Sequence, residues 1–295
     1  MLNILKVVLL GIIEGITEWL PISSTGHLIL FGKVLNPSFS PEFTAVFNVV
    51  IQLGAIIAVI VLFIGMIWPF HTPAKAAEES WFKKEASSPI LRGLQNFADR
   101  FVYMDRIILW LKIIVSSIPP LILGMLCEDW FEEHLHKPVP VAVLLIIWGF
   151  IFLIVEAKKR KARVKTTKKI TFLQAFIIGI FEALAIMPGT SRSGSTIIGG
   201  LLLGLSRPCA AQYTFFLAIP AMAGASVIKL AGYEAAFTGI EVASLIIGMV
   251  VAFLVSLLVI RKLMAFIRKH TFKGFGWYRI VLGIIVIVCA AAKLI

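Results

Sequence analysis

Apolar residues in this chain come in long, nearly unbroken runs. Five of them, 43–67, 109–127, 209–230, 242–260 and 276–294, match the length of about 20 apolar residues that a bilayer-crossing helix needs. A sixth, 139–156, is slightly shorter and as strongly apolar. Two regions break this pattern. Residues 2–35 carry Glu14, Glu18, Pro21 and a Ser-Ser-Thr-Gly-His run, and residues 171–206 carry Glu182, Pro188 and a Gly-Thr-Ser-Arg-Ser-Gly-Ser run. Each is two apolar pieces joined by a polar turn, which predicts a re-entrant helical hairpin. Irregular backbone at membrane depth survives only where protein or a water-filled cavity surrounds it.

Composition excludes most alternatives. Hydrophobic residues make up 59% and charged residues 15% of the 295 positions, where soluble domains have about 45–50% and about 25%. A soluble enzyme, a disordered chain and a disulfide scaffold are all ruled out. The three cysteines, Cys127, Cys209 and Cys289, lie in or beside apolar runs without metal-ligand spacing, and read as small buried hydrophobes. The first 21 residues superficially resemble a signal peptide, but they lack an A-x-A cleavage pattern and carry two glutamates, so they read as retained.

The net charge of +12 reads as topology rather than as a nucleic-acid partner. Residues 158–169 hold eight Lys/Arg, 261–273 hold five and 73–108 hold six, whereas 128–137 hold four acids and one Lys, and 231–241 two acids and no base. Basic loops stay in the cytoplasm. That puts 73–108, 157–170 and 261–275 inside, 128–138 and 231–241 outside, and both termini outside. Threaded this way, residues 1–156 form a hairpin and three spans with a loop at 70–108. Residues 171–295 form a hairpin and three spans of opposite orientation. The motifs agree: Gly-Ile-Ile-Glu (11–14) matches Gly-Ile-Phe-Glu (179–182), and each is followed by a Pro and a hydroxyl-rich turn. The fold class expected is an all-α polytopic membrane protein. It has six transmembrane helices and two re-entrant hairpins in an inverted-topology repeat, with its site at the broken helices.

Candidate chemistry concentrates in the two turns. Glu14 and Glu18 are four apart and share a helix face. An acid at the centre of a spanning helix costs ~2.5–3.5 kcal/mol on insertion scales, and a divalent cation, Mg²⁺ or Ca²⁺, between two carboxylates relieves that cost and their repulsion. A wet helix face is the plain alternative. Ser23, Ser24 and Thr25 can cap the second helix, or their hydroxyls and its free N–H groups can hold an anion. His27 lies within the hairpin, while His71, His134, His136 and His270 lie in or beside loops. In the second turn, Gly189 permits close backbone approach. Ser191, Ser193 and Thr196 supply hydroxyls, and the Arg192 fork matches phosphate oxygens bidentately. An ion pair from Arg192 to Glu182, Glu14 or Glu18 as structural glue is the alternative.

The two motifs, E-x-x-x-E-x-x-P-x-S-S-T-G-H at 14–27 and P-G-x-S-R-S-G-x-T at 188–196, resemble the signatures of the undecaprenyl-diphosphate phosphatases of the bacitracin-resistance type. The apolar spacing is similar along essentially the whole chain. The resemblance implies a bacterial inner-membrane homodimer that depends on a divalent cation. It would release the terminal phosphate of undecaprenyl diphosphate and so recycle the carrier lipid of peptidoglycan and other wall polymers. Glu14 and Glu18 would hold the cation, and Glu14, Glu18, Ser24, His27 and Arg192 would carry the chemistry. Ser23, Thr25, Gly189, Ser191, Ser193 and Thr196 would bind substrate. Ser24 is the preferred nucleophile, with His27 or a Glu as base; direct attack by His27 or by a metal-activated water stays open. The main rival is a lipid-phosphate transporter, which would leave the phosphate intact. The lipid phosphatases with a histidine nucleophile expect S-R-x₅-H, but no His follows Ser191-Arg192 at that spacing and position 198 is Ile. An intramembrane serine protease has no use for a phosphate-type arginine turn.

Overall fold

The computed structural model describes residues 2–35, 38–72, 81, 88–158 and 161–295. Residues 73–80 and 82–87 of the first basic loop, and Lys159 and Arg160 of the second, lie outside the described residues. Among the described residues the structure is eleven α-helices with short 3₁₀ turns and two isolated bridges. In the first half these are α1 (Leu2–Thr17), α2 (Ser24–Leu35), α3 (Pro41–Ile67), α4 (Pro89–Phe101), α5 (Met104–Leu135) and α6 (Pro138–Ala157). In the second they are α7 (Phe172–Ala183), α8 (Arg192–Leu202), α9 (Arg207–Ala231), α10 (Gly239–Ile267) and α11 (Lys273–Ala291). Six of the described helices, α3, α5, α6, α9, α10 and α11, are long and apolar enough to cross a membrane.

Local chemistry starts these helices where they start. Ser40 accepts from the Phe43 N–H at 3.1 Å and Ser206 from the Cys209 N–H at 3.3 Å, each with a proline in the first helical turn. Thr171 with Gln174, and Thr238 with Glu241, form reciprocal capping boxes. Two expected loops contain helix. Residues 128–138, read as an acidic outer loop, are helical to Leu135, because nothing breaks α5 until the approach to Pro138. The 70–108 segment contains α4, none of whose residues is buried. Ile90, Leu91, Leu94 and Phe97 line one face of α4, and Arg92, Asn96, Asp99 and Arg100 the other, the composition of a helix that lies at a membrane interface.

The helices cross between halves. α1 packs on α10, α7 on α5, α3 on α10 and α9, and α6 on α11. Glycine sets the closest of these approaches. A Cβ at Gly179 on α7 would collide with the Ser116 carbonyl of α5, and one at Gly54 on α3 with the Met249 carbonyl of α10. Beside the first contact, Ser116 Oγ donates to the Ala175 carbonyl and accepts from the Tyr213 hydroxyl, both at 2.7 Å, which ties α5, α7 and α9 together. The main apolar core, with Trp19, Phe152, Ile197, Ile198, Phe215 and Phe216 buried in it, lies beside the two turns. Trp19 meets Phe215 edge to face at 5.3 Å and holds the first hairpin to α9. Outward stripes such as Val143, Ile147, Phe150 and Ile154 on α6 stay exposed, as lipid-facing positions do in a bundle of this composition.

Candidate active site

Each hairpin turns over in the same way. Ser23, just before α2, and Ser191, just before α8, both have φ of 70°. The Ser23 hydroxyl accepts from the Gly26 N–H at 3.4 Å, and the Ser191 hydroxyl from the Gly194 N–H at 3.2 Å. A left-handed backbone is unusual for a residue with a Cβ. In both turns it swings the chain out of the first helix and starts the second beside it. Gly189 has φ of 95°, and a Cβ there would stand 2.6 Å from the Val141 carbonyl.

The two tips meet. Arg192 Nη2 donates to Glu18 Oε1 at 2.9 Å, and Arg192 Nη1 to the Thr214 carbonyl of α9 at 3.1 Å. The Ser193 hydroxyl donates to the Leu20 carbonyl at 3.2 Å. On the other side of Glu18, the Ser24 hydroxyl donates to Oε2 at 3.3 Å. One carboxylate from the first hairpin is thus shared between the arginine of the second and the serine of the first. Arg192 Nε is buried without a partner among the described residues.

These groups line a cavity of about 260 Å³ between the tips. Glu18, Ser23, Ser24, Thr25, Gly189, Ser191, Arg192 and Ser193 all face it. Gln52 of α3 and Ala221, Met222 and Ala225 of α9 add to the wall, the last three just beyond Pro220 within that helix. Three other candidates stand back from it. Thr196 is spent within the protein, donating to the Arg192 carbonyl at 2.8 Å and accepting from Thr214 at 2.9 Å. Glu14 is fully buried behind Glu18, next to Gln52, and neither of its carboxylate oxygens has a hydrogen-bond partner among the described residues.

His27 is the third. Its Nδ1 lies 2.7 Å from the Ser23 carbonyl, and its Nε2 2.8 Å from the Tyr278 hydroxyl, with the two rings stacked at 5.7 Å. A carbonyl only accepts, so Nδ1 carries the proton, and Nε2 of the neutral ring accepts from Tyr278. Both ring nitrogens are engaged away from Ser24.

Two residues that hold the site escaped the sequence reading. Tyr278 fixes His27. Arg279, fully buried on α11, donates to the Gly189 and Thr190 carbonyls at 2.8 Å each and to the Pro21 carbonyl at 3.4 Å. A single guanidinium therefore clamps both turns. The signal was present: an arginine inside the apolar run 276–294 is costly unless the bundle interior uses it. What the sequence could not show is that its partners are backbone carbonyls from both hairpins.

Comparison with known proteins gives the setting. The family model for bacitracin resistance protein BacA matches residues 7–285. A protein of Enterococcus faecalis named undecaprenyl-diphosphatase is 47% identical over 292 residues, 98% of each chain. Proteins of that name from Lachnoclostridium phytofermentans and Desulfitobacterium hafniense are also 47% identical, over 287 and 298 residues, covering 97% and 100% of this chain and 96% and 99% of theirs. Six membrane-length helices and this match make the chain a multi-pass membrane protein. With nearly its whole length matched, the chain belongs to the bacitracin resistance protein BacA family.

Proposed function

We propose that this chain hydrolyses undecaprenyl diphosphate to undecaprenyl phosphate and inorganic phosphate, recycling the carrier lipid for wall polymers and conferring bacitracin resistance. The observation that carries the reading is the shared carboxylate: Glu18 holds Ser24 on one oxygen and Arg192 on the other, inside a polar cavity of a membrane protein. Phosphoryl transfer asks mainly for positioning and charge neutralisation. Arg192 is placed to exchange Glu18 for phosphate oxygens when substrate arrives, with Ser23, Thr25, Ser191 and Ser193 around it.

In this mechanism Ser24 Oγ attacks the terminal phosphorus, and its proton passes to Glu18 Oε2. The bond from phosphorus to the bridging oxygen breaks, and undecaprenyl phosphate leaves. Water then releases phosphate from the serine. Glu18 rather than His27 is the base, because both His27 nitrogens are engaged elsewhere. His27, held by Tyr278, positions the start of α2. The prenyl chain lies against apolar helix faces.

The residues fit a divalent cation, Mg²⁺ or Ca²⁺. Among the described residues no three His, Cys, Asp or Glu converge. Both oxygens of the buried Glu14 carboxylate lack a hydrogen-bond partner among the described residues, as those of a cation ligand would before the ion is bound. Glu14 and Glu18 would hold the ion, with Gln52 next to Glu14. Mg²⁺ is typically bound by one or two carboxylates and substrate phosphates, and it would neutralise diphosphate charge.

An inverted repeat is supported by the paired left-handed serines and by the reciprocal packing of α1 on α10 and α7 on α5. The reading places the protein in the inner membrane, with basic loops in the cytoplasm and both termini outside. A homodimer is expected from the resemblance.

The test is phosphate release from undecaprenyl diphosphate by purified protein with Mg²⁺, Ca²⁺ or EDTA. Metal-dependent release, reduced roughly 10²–10³-fold in Arg192→Ala, is the expected result. A phosphoenzyme trapped in the parent and in His27→Asn, and lost in Ser24→Ala, would support the serine step; full activity of Ser24→Ala would remove it. No release from folded protein under any condition would leave a lipid-phosphate transporter as the better reading.

A further inference from the structure

At the far end of α8 a second cleft, of about 200 Å³, opens between the turn into α9, the end of α6 and the end of α10. Eleven residues of α8, roughly 15 Å at 1.5 Å per residue, separate it from Arg192. Lys158, Lys161, Arg207 and Arg268 line it, against one acid, Glu156. That acid is neutralised within the protein. Its two oxygens accept from Arg207 Nε at 2.8 Å and Arg207 Nη2 at 2.5 Å, and one also accepts from the Phe272 N–H at 3.1 Å. The pair fixes the Arg207 guanidinium with 37% of its side chain still exposed.

The described part of the lysine-rich segment is also held in place. Arg163 and Val164 N–H groups donate to the Gly204 carbonyl at 2.9 and 3.1 Å, and the Ser206 N–H to the Val164 carbonyl at 2.8 Å. Gly204 permits this with φ of 85°. A run of like charges would otherwise repel itself into solvent. Here backbone hydrogen bonds anchor Arg163 and Val164 beside Gly204. The result is a pre-formed concavity with a surplus of positive charge at the ends of three helices. None of its residues belongs to the phosphatase cavity.

We propose that this cleft binds a phosphate-bearing anion, the shared chemistry of an anionic phospholipid headgroup on the basic face and of free inorganic phosphate. Basic pockets between spanning helices take such headgroups, and Lys158, Lys161 and Arg268 add cations beside the part-exposed Arg207.

The experiment uses the full-length protein with Arg192→Ala, so that the phosphatase cavity does not contribute. Native mass spectrometry from detergent containing equal phosphatidylglycerol and phosphatidylcholine reads lipid retention, and calorimetry at constant ionic strength reads binding of inorganic phosphate. Lys161→Ala with Arg268→Ala removes two exposed cations. Lys262→Ala with Lys269→Ala removes two outside the cleft. If the headgroup is the ligand, phosphatidylglycerol is retained selectively, and retention falls about fivefold per cation removed in the first pair but holds in the second. If free phosphate is the ligand, calorimetry shows the same pattern and lipid retention does not. Equal retention of the two lipids together with no phosphate binding, or equal losses in the two pairs, would overturn the proposal. Both pairs made in the Arg192 parent should keep its phosphate release, which shows that they are folded.

Discussion

Arg279 carries more of the architecture than its single position suggests. Its three carbonyl partners come from both turns, Pro21 from one and Gly189 and Thr190 from the other. Arg279→Met fits the volume but leaves those carbonyls without a donor at about 1–3 kcal/mol each. Thermal denaturation in detergent should show a clear fall in Tm, with phosphate release lost alongside; Arg279→Lys, which keeps a charge and donors, should recover part of both. An unchanged Tm would mean that the carbonyls find other partners. Tyr278 tests the role of His27. Tyr278→Phe removes one neutral hydrogen bond, worth ~1 kcal/mol, so kcat/KM should drop about fivefold with an unaltered pH profile. A large loss with a shifted profile would instead make His27 a proton carrier in the reaction.

The elements are placed by small residues and caps more than by charge. Gly179 lets α7 run against the α5 backbone, and Gly54 does the same for α3 on α10. Gly179→Val must move one of the two helices, because the obstacle is a backbone carbonyl rather than a flexible side chain. Overpacking of this kind costs about 1–3 kcal/mol, and the variant should unfold at lower temperature. Gly65→Val, where a Cβ meets nothing within 4 Å, should leave Tm unchanged. The spans themselves were legible from apolar run length, since a bilayer demands it. Their ends were less so, because a helix stops where a cap or proline stops it rather than where the membrane ends. This is why α5 runs on to Leu135 through residues read as an outer loop. It is also why α4, whose apolar positions recur at helical spacing within a polar segment, went unseen in a search for long runs.

For the whole molecule the orientation can be tested directly. With the parent cysteines replaced, Lys161→Cys should react with a membrane-impermeant maleimide only after the cells are opened. Glu234→Cys, on an acidic loop, should react in intact cells. The reverse result would invert the topology and put the basic cleft on the outer face. The two halves are joined most directly at their tips, where the Glu18–Arg192 pair, the Ser193 hydroxyl and Arg279 all bridge them. On the proposed function, substrate binding and the contact between halves draw on the same groups, and an anion that takes Arg192 from Glu18 must loosen one bridge as it enters.

By itself, the amino-acid sequence determined the helical membrane class, the six spans, the two broken segments and most of the residues at the cavity. Apolar run length and misplaced polar groups are local properties, readable without contacts. The tertiary structure alone decided which of those groups work together. Glu14 and Glu18 are spaced to share a helix face, yet α1 ends at Thr17, and packing leaves Glu14 unpartnered among the described residues while giving Glu18 to Ser24 and Arg192. His27 lies three residues from Ser24, yet its ring turns to Tyr278, 251 positions away. Arg279 finds its partners only when α11 passes both hairpins. Hydrogen bonds have direction and reach of about 3 Å, so their partners follow from the packing of distant segments, which no local pattern encodes.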